Sequence, residues 1–85
     1  MTALRVALVQ HDIVWEQPAA TFALLEGPIA TAAAGGARLV VLSEMFGPGF
    51  SMATERIAEP YDGPSAQFLH AQARLHGAWM CGSIP

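Results

Sequence analysis

The chain has 85 residues, a formal net charge of −3 and no lysine; 53% of its residues are hydrophobic and 13% are charged. Its four basic residues, Arg5, Arg38, Arg56 and Arg74, are scattered, which argues against a nucleic-acid partner, since that needs a clustered basic face. The single cysteine excludes an internal disulfide and suits a reducing compartment, and no apolar run approaches membrane-spanning length, so a cytoplasmic protein is the expectation.

Arg5-Val6-Ala7-Leu8-Val9-Gln10 is a β-prone run and is predicted to be a strand. Arg5 ahead of that short run, with no small-residue cleavage pattern after it, does not make a signal peptide. Residues 11–17 read as a loop. Pro18 suits the first turn of a helix, where its missing N–H costs nothing. Phe22, Leu25, Ile29 and Ala32 then recur at the spacing of an amphipathic helix. Pro28 interrupts that helix: it removes a hydrogen bond and crowds the carbonyl of Leu24, so a kink or a split is predicted. Gly35-Gly36 ends the helix.

The strand Leu39–Leu42 follows at once. Four apolar residues bounded by turn residues read as a strand buried on both faces. Glu44 sits where this strand ends, just ahead of Gly47-Pro48-Gly49. Ligands of open α/β sheets bind at the carboxyl ends of the strands. A carboxylate there is either a solvated loop acid or a working group, and position alone leaves both open.

A single helical turn is predicted near Thr54–Ala58, stopped by Pro60. Pro64 opens a second long helix with a stripe of Phe68, Leu69, Gln72 and Leu75, closed by Gly77. Ala78–Ser83 reads as a third strand. The order βαβαβ implies an α/β unit over residues 1–85, a small domain or part of a larger one, with a parallel sheet and right-handed crossovers.

Several side chains invite a functional reading. Phe46 and Phe50 flank the Gly-Pro-Gly turn and are candidate substrate-lining residues beside Glu44; the alternative is that they belong to the core. Trp15 and Met52 are weaker candidates of the same kind. His11 and Asp12 either border the site or are ordinary loop residues. His11, His70 and His76 show no metal-ligand spacing, and nothing calls for a metal or other cofactor. Cys81, inside the third apolar strand, reads as an inert buried cysteine. A Rossmann domain needs a glycine-rich turn after the first strand, where Gln10-His11-Asp12 stands instead; a P-loop needs a lysine. A receiver-type signalling domain needs an aspartate after the third strand, where Gly82-Ser83-Ile84-Pro85 stands. A catalytically inactive interaction or small-molecule-binding module remains the alternative class.

Leu42-Ser43-Glu44-Met45-Phe46 followed by Gly49-Phe50-Ser51-Met52 resembles the glutamate motif of the nitrilase, or carbon–nitrogen hydrolase, superfamily, and most closely its ω-amidase branch. Three other segments are similar in the same order: Ala7–Gln10 to the family's first strand, Gly35–Leu42 to its first helix exit and second strand, and Gly82–Pro85 to the end of its third. Ser43 departs from the pattern, which usually has proline there. The resemblance implies the N-terminal βαβαβ part of an αββα sandwich that associates as a dimer. It also implies hydrolysis of a non-peptide C–N bond in a small amide by a Glu-Lys-Cys set. Glu44 matches the general base. The lysine has no counterpart, and the family's nucleophilic cysteine comes later in the chain, which again leaves Cys81 structural.

Size agrees with a partial domain. A chain this short buries only about 60% of its unfolded surface. So apolar a composition is unusual for a small free-standing domain and suggests surfaces that other chain covers. The expectation is an N-terminal piece of a longer enzyme, inactive by itself.

Overall fold

A computed structural model describes residues 3–85. The elements run β1 (Val6–Leu8), α1 (Pro18–Ala34), β2 (Leu39–Val41), α2 (Thr54–Ile57), α3 (Pro64–His76) and β3 (Trp79–Cys81). The strands form one parallel sheet in the order β1-β2-β3, with Val6, Leu39 and Trp79 in register. The βαβαβ order read from the sequence is therefore the observed one. Each strand is shorter than its apolar run, but the ladder carries on past the ends: Val9 N–H donates to Val41 O (2.9 Å) and Leu42 N–H to Cys81 O (2.7 Å).

The strand order advances in one direction. Two crossovers of the same hand must then put both connecting helices on one face. That is the packing seen: α1 and α3 pack on each other, α1 against β2 and α3 against β3. Alternation along the strands does the rest. Ala7, Val40 and Met80 share the helix-covered face, and Val40 is completely buried. Val6, Leu8, Leu39, Val41, Trp79 and Cys81 share the other, where Leu8 is 76% and Trp79 77% exposed. Two readings are corrected here. The β2 strand is not buried on both faces, because Leu39 and Val41 are only half-covered. Cys81 is exposed rather than buried. The physical reason is common to both: an apolar run shows how many faces suit burial, not how many the chain covers.

Pro18 opens α1 as predicted, and Thr21, Leu25 and Ile29 form its buried stripe. The helix runs through Pro28 without the predicted split. Leu24, Gly27 and Pro28 are all exposed, so the missing hydrogen bond falls on the solvent-facing side of the helix, where the freed carbonyl is open to water. Pro64 opens α3, and Glu59 serves its first turn: the carboxylate accepts from Ser65 N–H (2.7 Å) and Ser65 Oγ (2.6 Å). The expected α3 stripe holds at Phe68, Leu69 and Gln72 and runs out at Leu75, which is exposed.

Core and sheet meet under the segment that follows β2. Phe46 is fully buried, with its ring centroid 6.0 Å from that of Phe22 and 6.2 Å from that of Phe68. Phe22 and Phe68 stack at 4.5 Å, so the three rings tie α1 and α3 to the post-β2 turn. Burying one such ring is worth about 1.5–3 kcal/mol. Gly82 is the matching hollow, since a β-carbon there would stand 2.6 Å from Phe46 Cδ1.

Candidate active site

All three strands point the same way, so their carboxyl ends share one rim. Residues 10–12 follow β1, Ser43 and Glu44 follow β2, and Gly82 and Ser83 follow β3. Glu44 lies in the turn beyond the central strand. Its side chain is exposed, and its carboxylate enters no ion pair among the described residues.

The backbone on either side of Glu44 is held by side chains from the two neighbouring strand ends. On the β1 side, His11 Nε2 lies 2.9 Å from Ser43 Oγ. The other ring nitrogen, Nδ1, lies 2.9 Å from the Asp12 carbonyl oxygen, which can only accept. Nδ1 therefore carries a proton, and in the neutral ring the Ser43 hydroxyl donates to Nε2. On the β3 side, Met45 N–H donates to Ser83 Oγ at 2.7 Å. Met45 has φ of +48°, in the left-handed region that residues with a β-carbon seldom occupy.

A second glutamate holds the far side of the turn. Glu16 N–H donates to Pro48 O at 2.8 Å. The Glu16 carboxylate accepts from Ser51 Oγ (2.6 Å) and from both Nε (3.1 Å) and NH2 (2.9 Å) of Arg56. This is the one ion pair among the described residues. The hydrogen bonds from Arg56, then that from Ser51, hold the Glu16 carboxyl below the usual carboxylate range. The same pairing raises the Arg56 guanidinium. Gly49, at φ +87°, passes against the Trp15 ring, where a β-carbon would stand 3.0 Å from Trp15 Cε3. Residues 13–16 thus clamp residues 48–56.

The predicted site residues fare differently. Glu44, Phe50, Met52 and Trp15 are all exposed, Phe50 to 59%. Phe46 does not join them: its ring has no exposed surface, and it serves as the floor of the turn rather than a wall of a pocket. His11 and Ser43 prove to be partners 32 positions apart. The Glu16–Ser51–Arg56 clamp and Ser83 were not singled out from sequence. Glu16 and Arg56 are 40 positions apart, and no local pattern marks them as a pair. A groove of about 360 Å³ lies between α3 and β3, lined by Leu69, His70, Ala73, Trp79, Met80 and Ile84 among others. None of residues 43–52 lines it. No group of three or more His, Cys, Asp or Glu residues that would hold a metal occurs among the described residues.

Comparison with known families matches residues 5–85 to the carbon–nitrogen hydrolase model. The chain belongs to the carbon–nitrogen hydrolase family. Among solved structures it is similar to XC1258 from Xanthomonas campestris, a CN-hydrolase superfamily protein with an arsenic adduct in its active site. The two are 36% identical with a TM-score of 0.88, over 99% of this chain and 31% of that one. The carbon–nitrogen hydrolase segment described here therefore spans about a third of that relative. A search of curated proteins finds no match. No helix among the described residues is long and apolar enough to cross a membrane.

Proposed function

We propose that the chain is the N-terminal segment of an amidase and supplies its general base, Glu44. The observation that carries this reading is the state of Glu44. It stands just past the carboxyl end of the central strand with its carboxylate in no ion pair among the described residues, while the residues on both sides of it are each held by a side chain from another strand end. A base needs a free lone pair at a defined position, and this arrangement offers one.

The chemistry follows the activated-nucleophile pattern. Glu44 takes the proton of a cysteine thiol, and the sulfur forms a bond to the amide carbon. The C–N bond breaks, and the nitrogen leaves as ammonia with the proton returned by the glutamic acid. Glu44 then takes a proton from water, whose oxygen bonds to the acyl carbon as the C–S bond breaks; the carboxylic acid is released, and the proton on Glu44 returns to the sulfur. The thiol and the oxyanion-stabilising lysine belong to the parent chain beyond these residues. Cys81 is not the thiol in this reading, because it lies on the bare sheet face within β3 rather than at the rim.

The substrate is a small ω-amide of a dicarboxylic acid, with Phe50 against it. Similarity of Glu44–Phe46 and Gly49–Met52 to the ω-amidase branch supports that choice. The apolar sheet face of Val6, Leu8 and Trp79 fits a second sheet of the parent domain, and the parent acts as a dimer in the cytoplasm. Ammonia release by the parent enzyme on a panel of amides, nitriles and carbamoyl compounds tests the assignment. Turnover of ω-amides is the expected result; turnover of nitriles or carbamoyl compounds in their place overturns the substrate class, and no turnover of any C–N substrate overturns the function.

A further inference from the structure

We propose that His11 and Ser83 are positioning residues that set the direction of the Glu44 carboxylate from opposite sides; the inference rests on Glu44 being the general base. The Glu44 carboxylate has no ion-pair partner among the described residues, which leaves its backbone to aim it. Here the residue before Glu44 and the residue after it are each tied to a different strand end. Ser43 is tied to His11 across 32 positions, and Met45 to Ser83 across 38. This is possible because β2 is the central strand, flanked by the chain that follows β1 on one side and β3 on the other.

The Met45 conformation gives the second tie a task. A left-handed methionine is strained and persists only where surrounding contacts hold it. Relaxing it would swing the turn, and Glu44 with it. The Ser83 hydroxyl at 2.7 Å is the contact on its N–H. The first tie is held in turn by the bond between His11 Nδ1 and the Asp12 carbonyl, which orients the ring and leaves Nε2 facing Ser43.

The test uses ammonia release by the full-length parent enzyme, with thermal unfolding recorded for every variant. Glu44→Gln anchors it and should lower turnover by about 10²–10⁴-fold. A misplacement of 1 Å can cost about 100-fold, and a loosened tie should cost less, about tenfold. His11→Ala, Ser43→Ala and Ser83→Ala should therefore each lower kcat about tenfold with KM and unfolding temperature little changed. His11→Ala with Ser43→Ala should be no worse than either alone, because both remove one bond, whereas Ser83→Ala should multiply with them. His11→Gln, whose amide reaches the same hydroxyl, should recover part of the loss. Ser43→Ala removes a single oxygen and reads out the same bond if His11→Ala does not fold. The inference is overturned if Glu44→Gln is inactive while the three alanine variants keep full kcat. It is overturned equally if their loss appears only in KM or in unfolding temperature. An active Glu44→Gln would remove the general-base reading itself, and the inference with it.

Discussion

Glu16 and Glu44 stand on opposite sides of the same turn, and their carboxylates are treated in opposite ways. Both oxygens of Glu16 accept hydrogen bonds, from Ser51 and from Arg56, and its own N–H reaches Pro48. Glu44 has no ion-pair partner among the described residues, and its neighbours Ser43 and Met45 are the groups that are held. A carboxylate that is already satisfied stays ionised and fixes the chain; it has little left to offer a substrate proton. A carboxylate outside any ion pair keeps its lone pairs available. On the proposed function, that difference is the one between an acid that fixes the chain and an acid that works as a base.

The largest expected effect concerns the floor beneath Glu44. Phe46→Ala removes a fully buried ring from the Phe22–Phe68 cluster and should cost about 3–5 kcal/mol of stability in a urea titration. If Phe46 instead lined a substrate pocket, the change would be mild in stability and would raise KM.

The clamp should respond to pH, and the comparison sharpens there. The folded Glu16 pKa lies below its unfolded value, so the stability it contributes is present above the unfolded pKa and is lost as pH falls through the lowered one. Glu16→Gln should therefore lower the urea midpoint at neutral pH, with the difference from the native chain closing as the pH drops below the ordinary carboxylate range. A difference that persists unchanged into strong acid would mean that the ionised Glu16–Arg56 pair is not what the substitution removes.

The smallest expected effect is at Cys81. It lies on the bare face, away from the rim, so Cys81→Ala in the 85-residue chain should move stability by no more than about 0.5 kcal/mol. A larger loss would place the thiol in a packed environment that the fold does not give it.

Much of the fold was legible because local chemistry decides it. Pro18 and Pro64 mark the two long helix starts, and the Phe22, Leu25, Ile29 stripe buries as its spacing requires. The limits appear where a distant element decides. Pro28 does not split α1, because its lost hydrogen bond faces solvent. Cys81 and Leu8 are exposed because same-handed crossovers leave one sheet face uncovered. Around the site, the position of Glu44 followed from a strand run into a Gly-Pro-Gly turn. Phe46 and Phe50 are indistinguishable on that basis, yet one is buried core and the other is exposed. The ties from His11, Ser83, Glu16 and Arg56 span 32 to 40 positions and exist only once the strand order is set.

On the proposed function, Glu44 does the proton transfer and Glu16 only holds the turn. This division of roles is tested most directly by comparing Glu44→Gln and Glu16→Gln in the full-length parent enzyme, with kcat for ammonia release and the urea midpoint measured on the same preparations. Glutamine keeps the shape of either side chain and removes its charge. Glu44→Gln should lose about 10²–10⁴-fold in kcat with an unchanged midpoint, since no packing volume is lost. Glu16→Gln should lower the midpoint and leave far more of kcat. Equal losses of kcat, or a Glu44→Gln enzyme that retains its turnover, would contradict the account.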